Sequence, residues 1–130
     1  MNKSTLISSI AYCGLVCGKC HLRTQCDGCK HTARQCERSE VCYQRNCCIQ
    51  QGLQGCWECD GFPCGEDMYG PGHDLRIKAF AAFIKKEAAQ TLIDCLLKNE
   101  EKGIYYGLGR DYDGKNSQEE VFHLLKMGLR

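Results

Sequence analysis

Thirteen of the 130 residues are cysteine, and twelve of them fall between Cys13 and Cys64, a window of 52 residues. Cys13, Cys17 and Cys20 read C-x3-C-x2-C, while Cys26/Cys29 and Cys56/Cys59 are each C-x2-C. Cys36, Cys42, Cys47 and Cys48 lie between them, and Cys64 closes the set. Two intervening residues let the chain turn so that both sulfurs reach one tetrahedral ion at about 2.3 Å, with backbone amides aimed at the thiolates. Gly18 and Gly28 stand inside or beside these turns and relieve their strain. Three such knuckles in so short a stretch are a far stronger signal than one.

The count suits Zn2+, two or three ions. Twelve thiols fill three four-cysteine sites, and ten fill two with a pair to spare. Closeness in sequence groups Cys17, Cys20, Cys26 and Cys29 on one ion and Cys47, Cys56, Cys59 and Cys64 on a second. Cys13, Cys36, Cys42 and Cys48 are left for a third. His21 and His31 sit beside the knuckles, and with sulfur in surplus they read as solvated neighbours.

Zinc has two rivals. The C-x3-C-x2-C run also matches three irons of a four-iron cluster, but radical enzymes carry that spacing on a large barrel that 130 residues cannot supply. Disulfides require an oxidising compartment. Residues 1–12 hold only short apolar clusters broken by serine, no signal-peptide core, so a cytoplasmic setting with reduced thiols is expected. The odd total of thiols also argues against a purely disulfide framework.

The elements that must position these thiols follow from the apolar pattern. The cysteine window holds nine large apolar residues, too few to offset the ordering entropy of some fifty residues without cross-links. Composition shifts at Tyr69-Gly70-Pro71-Gly72-His73, a turn or linker. Beyond it Ile77, Phe80, Ile84, Ala88, Leu92 and Leu96 recur at helical spacing, with Asp74 as N-cap and Gly103 as stop. One helix or two broken near Ala88 both fit. Ser117 and Glu120 form a capping box that opens a last helix with Val121, Leu124 and Leu125 inward. The expected fold is small, metal-stapled, irregular and α-rich. A cysteine-rich zinc-knuckle region, 1–72, packs with a helical region, 73–130, of two or three helices.

The ordered motifs Tyr12-Cys13-Gly14-Leu15-Val16-Cys17-Gly18-Lys19-Cys20, Cys26-Asp27-Gly28-Cys29, Cys42-x4-Cys47 and Cys56-Trp57-Glu58-Cys59-x2-Phe62-Pro63-Cys64 resemble the DUF3795 proteins, a prokaryotic family of unknown function. Arg76-Ile77-Lys78-Ala79-Phe80, Asn99-x3-Gly103-Ile104-x-Tyr106 and Asp111-Tyr112-Asp113 extend the resemblance over nearly the whole chain. It implies zinc held by ten cysteines: Cys13, Cys17, Cys20, Cys26, Cys29, Cys42, Cys47, Cys56, Cys59 and Cys64. Cys36 and Cys48 are then additions of this chain.

Charge and motifs narrow the function classes. Lys19 to Arg45 carries six Lys/Arg against three acids. Filling three four-cysteine sites ionises the thiols faster than zinc compensates, and takes the net charge from +1 to about −5, which opposes nucleic-acid binding. Neither H-E-x-x-H nor the H-x-E/P-C-x-x-C pair of zinc deaminases occurs, so structural zinc is favoured over catalytic zinc. Asp111-Tyr112-Asp113-Gly114 starts like a calcium loop but carries glycine at the fourth position, and reads as a turn. Cys95 reads as a small buried hydrophobe and Trp57 as packing over the metal cluster. The expected function is a zinc-stabilised interaction or adaptor module for a protein partner, with no membrane contact. The alternative is a metal- or redox-handling protein.

Overall fold

The computed structural model describes residues 2–19, 30, 41–107 and 109–129. Cys20, His21, Cys26, Cys29, His31 and Cys36 lie outside the described residues, and with them three of the four thiols of the first expected quartet. Among the described residues there are five α-helices and no strand, only an isolated bridge pairing Ile10 with Val16.

Helix α1, Lys3–Ser8, starts where the Asn2 side chain accepts from the Thr5 amide at 2.8 Å. Helix α2, Tyr43–Gln51, has no cap of its own at Cys42; Asp67 supplies one from a distance, its carboxylate accepting from the Tyr43 amide at 3.0 Å. Both helices lie in the stretch that lacked apolar periodicity. In α2 the buried positions are Gln44 and Cys48, so its inward face is made of an amide and a thiol.

Helix α3, Leu75–Glu87, is capped by Asp74, which accepts from the Arg76 amide at 2.8 Å. The predicted helical run breaks at Ala88, whose φ of 88° lies in the left-handed region that costs a non-glycine residue of order 1–3 kcal/mol. That corner lets α4, Ala89–Glu101, begin at once and fold against α3. Gly103, at φ 84°, follows its end as the sequence anticipates. Helix α5, Gln118–Lys126, is capped by Ser117. The return bond of its box runs from the Asn116 amide to Glu120, one residue earlier than the motif implies. Val121 and Leu125 are fully buried, whereas Leu124 is only partly so.

Two cores result. The larger one gathers Phe80, Phe83 and Ile84 of α3, Leu92, Ile93 and Leu96 of α4, and Val121 and Leu125 of α5. Leu6, Ile10 and Val16 join it, so the first turns of the chain pack with the helical region. Cys95 is there too, fully buried, and burial pushes its thiol up to about 11. The smaller core consists of Ala11, Cys13, Cys48, Cys56, Tyr69, Ile77 and Ala81. Helix α3 divides the two. Ile77 and Ala81, four residues apart, face the thiols, while Phe80, Phe83 and Ile84 face the carbon core. Tyr69, placed by its neighbours in a linker, is 4% exposed and belongs to the smaller core.

Candidate metal centre

The C-x2-C of Cys56 and Cys59 is a 3-10 turn, Cys56–Glu58, in which the Cys59 amide donates to the Cys56 carbonyl at 3.0 Å. The Phe62 amide then donates to the Cys59 carbonyl at 3.2 Å. Trp57 folds back over Gly55, where a Cβ would lie 2.1 Å from its ring, so only glycine fits. Lys30 places its ammonium 4.9 Å from the Tyr12 ring and 5.7 Å from the Trp57 ring.

Helix α2 supplies the facing wall. Cys47, Cys56, Cys59 and Cys64 all line one cavity of about 230 Å³, together with Tyr43, Gln51, Phe62 and Tyr69. This is the second quartet expected from the sequence, contributed by a helix, a 3-10 turn and a loop. Among the described residues, no three or more histidine, cysteine, aspartate or glutamate side chains stand close enough to hold a metal as placed. The four thiols share a cavity, not a coordination sphere.

Neighbouring amides hold this wall. Gln51, four residues after Cys47 and so on the same helix face, donates to its sulfur at 2.8 Å. Gln44 is fully buried; it donates to the Glu66 carbonyl at 2.7 Å, lies 3.9 Å from the Cys64 sulfur, and accepts from the Met68 amide at 3.2 Å. One side chain thus pins α2 to the loop that carries Cys64. Sequence spacing had passed over both glutamines. The usable signal was helical phase, since Gln44, Cys47, Cys48 and Gln51 recur at three- and four-residue steps.

Cys48, 1% exposed and not among the residues that line the cavity, has its sulfur 3.6 Å from that of Cys56. Burial pushes the Cys48 thiol well up, and Cys56 beside it adds to the rise. Burial also raises Cys56, opposed by hydrogen bonds from Tyr69 and Cys48. The Tyr69 hydroxyl donates to the Cys13 carbonyl at 2.9 Å, so Cys13 and Cys56 meet around one phenol, itself raised mainly by burial. Cys42 stands at the N-cap of α2 and Cys17 opens the 3-10 turn Cys17–Lys19.

The downstream motif anchors the Cys13–Cys17 loop. The Val16 amide donates to the Tyr106 hydroxyl at 3.1 Å, across 90 residues of sequence. Tyr106 in turn packs on Phe80 and lies under the Arg76 guanidinium, which pairs with Asp113 at 2.7 Å. Asn99 donates to the Tyr112 hydroxyl at 2.8 Å and to the Leu124 carbonyl at 2.9 Å. Asp111 and Asp113 accept from the Tyr105 and Gly109 amides, both at 2.7 Å. The acidic turn is therefore a structural lock. Gly14, at φ 99°, allows the Cys13 loop to approach α3, because a Cβ there would meet the Ala81 backbone at about 3.0 Å.

Residues 21–68 match the model of a family described as "Protein of unknown function (DUF3795)", in agreement with the resemblance carried by the cysteine order. The match takes in all nine thiols from Cys26 to Cys64, seven of them among the ten expected ligands, and leaves Cys13, Cys17, Cys20 and the downstream motif outside it. No curated protein and no solved structure is significantly similar to the chain.

Proposed function

We propose that this protein binds zinc through its clustered cysteines, with structural ions that replace a hydrophobic core, and serves as an interaction module for a protein partner. The carrying observation is that Cys47, Cys56, Cys59 and Cys64, grouped by sequence spacing alone, line one cavity. An all-sulfur donor set suits a closed four-coordinate zinc site. Bound there, the ion would supply a cross-link between α2, the Cys56–Glu58 turn and the Cys64 loop, which otherwise meet through a few polar contacts and a small thiol-rich core. Cys13, Cys17, Cys20, Cys26, Cys29 and Cys42 are the remaining candidate ligands. Val41 and Ile49, 72% and 51% exposed, support a surface left free for a partner. A second reading, in which thiols themselves react or pass metal, is favoured by surplus sulfur: Cys48 lies outside the quartet, yet its thiol touches Cys56.

Elemental analysis of protein expressed without added metal tests the first reading. The expected content is about two or three zinc per chain, falling by about one in Cys59→Ser. Cys95→Ser should keep every zinc while losing about 1–3 kcal/mol of stability for a buried, unpaired hydroxyl. Less than one zinc per chain, or matching iron and sulfide, would sink the reading.

A further inference from the structure

Cys48, like Cys95, is a described thiol outside the ten expected ligands, and unlike Cys95 it is placed against a second sulfur. Its sulfur lies 3.6 Å from that of Cys56, a contact that needs only side-chain rotation and a small backbone adjustment to become a bond. The two sulfurs also differ in access. Cys56, 8% exposed, lines the cavity together with the exposed Cys64, whereas Cys48 is not among the lining residues and is 1% exposed. Of the pair, Cys56 is the one that a small oxidant in the cavity would touch. A second thiol poised beside the one that reacts is what a resolving cysteine requires.

We propose that Cys48 and Cys56 form a reversible disulfide under peroxide, and that this bond switches off the Cys47–Cys56–Cys59–Cys64 site. The coupling rests on the zinc reading of that quartet; the disulfide itself does not. The Cys56 sulfur, its proton lost, bonds one peroxide oxygen as the O–O bond breaks, and the second oxygen leaves with that proton as water. The Cys48 sulfur then displaces the oxygen from Cys56. The S–S bond forms, the S–O bond breaks, and the departing oxygen takes the Cys48 proton to leave as a second water. The sulfur pair has lost two electrons and the peroxide has gained them. Cys56 in a disulfide has no thiolate to offer, so the quartet is reduced to three donors.

The test treats zinc-loaded, full-length protein with hydrogen peroxide and follows intact mass, zinc and peptide linkage on the same samples. Cleavage after Leu53 and Trp57 separates Cys56 from both Cys48 and Cys59. The expected result is a loss of two hydrogen masses, a cross-link from Cys56 to the Cys47–Cys48 peptide, and loss of about one zinc in step with it, all reversed by dithiothreitol. Fragmentation within that peptide should place the bond on Cys48. Cys48→Ala should carry as much zinc as wild type before oxidation, then gain oxygen at Cys56 that dithiothreitol does not fully remove. A cross-link from Cys56 to Cys47, Cys59 or Cys64, or no cross-link at all, overturns the proposal, and the wild-type map decides this even if the variant misfolds. A Cys48–Cys56 bond in protein that never held zinc overturns the coupling and the zinc reading while upholding the thiol pair.

Discussion

The two cores of this protein solve the same problem with different materials. The larger one is carbon: Phe80, Phe83, Leu92, Ile93, Leu96, Val121 and Leu125 interdigitate, with aromatic pairs such as Phe80–Tyr112 at 5.5 Å and Phe83–Phe122 at 5.3 Å between ring centroids. Each such side chain gains about 1.5–3 kcal/mol by burial. Of the seven buried members of the smaller core, three are cysteine and two are alanine. Such short side chains remove little apolar surface from water, so this core cannot offset the ordering of the chain around it by burial alone. The contrast shows why thiols concentrate where they do. They line the cavity on one side and fill the core on the other, and Cys56 does both.

Metal removal should separate the cores most widely. A structural zinc site contributes on the order of 10 kcal/mol of apparent binding energy, comparable to the whole stability of a domain. Strong chelation at neutral pH should therefore abolish amide-exchange protection in α2 and the Cys56–Glu58 turn while α3 and α4 remain protected. Helix α1 should persist as well, because Leu6 belongs to the carbon core although it precedes the cysteines in sequence. Equal loss in both halves would mean that the cores do not fold separately.

The reverse experiment attacks the carbon side. Phe80→Ala empties a fully buried position beside Tyr106 and Tyr112 and should cost about 3–5 kcal/mol in chemical denaturation. Zinc per folded chain should stay unchanged. A proportionate fall in zinc would show that the carbon core holds the metal centre in shape.

Tyr106→Phe is the finest probe, because it touches only the join. It deletes the hydroxyl that accepts from the Val16 amide and leaves the ring on Phe80. The expected loss is about 1–3 kcal/mol for a part-buried donor left unpaired. Faster exchange should be confined to the Val16–Cys17 amides, with zinc at the Cys47 quartet retained. Loosening that spreads to Cys56 would make the Cys13 loop part of that centre.

What the sequence determined on its own is chemistry and local structure. Knuckle spacing, the Asp74 and Ser117 caps, the Gly103 stop and the burial of Cys95 follow from short-range rules of turn and helix geometry, and such rules are written in adjacent residues. That Cys47, Cys56, Cys59 and Cys64 would lie around one cavity was also legible, since the chain between them is short. Tertiary structure alone decided the rest. Helix α2 has no apolar stripe to read, because its inward positions are Gln44 and Cys48 and its cap comes from Asp67. The Ile77/Ala81 face of α3 is visible as a second face only once there is a second core to pack on. Arg76, Asn99, Tyr106 and Asp113 are scattered motif residues in the sequence and a lock in the fold, since hydrogen bonds and ion pairs across tens of residues leave no periodicity behind. The contact between Cys48 and Cys56 is of the same kind. Eight residues and a left-handed turn at Gly52 separate them, and only packing brings one sulfur to 3.6 Å from the other.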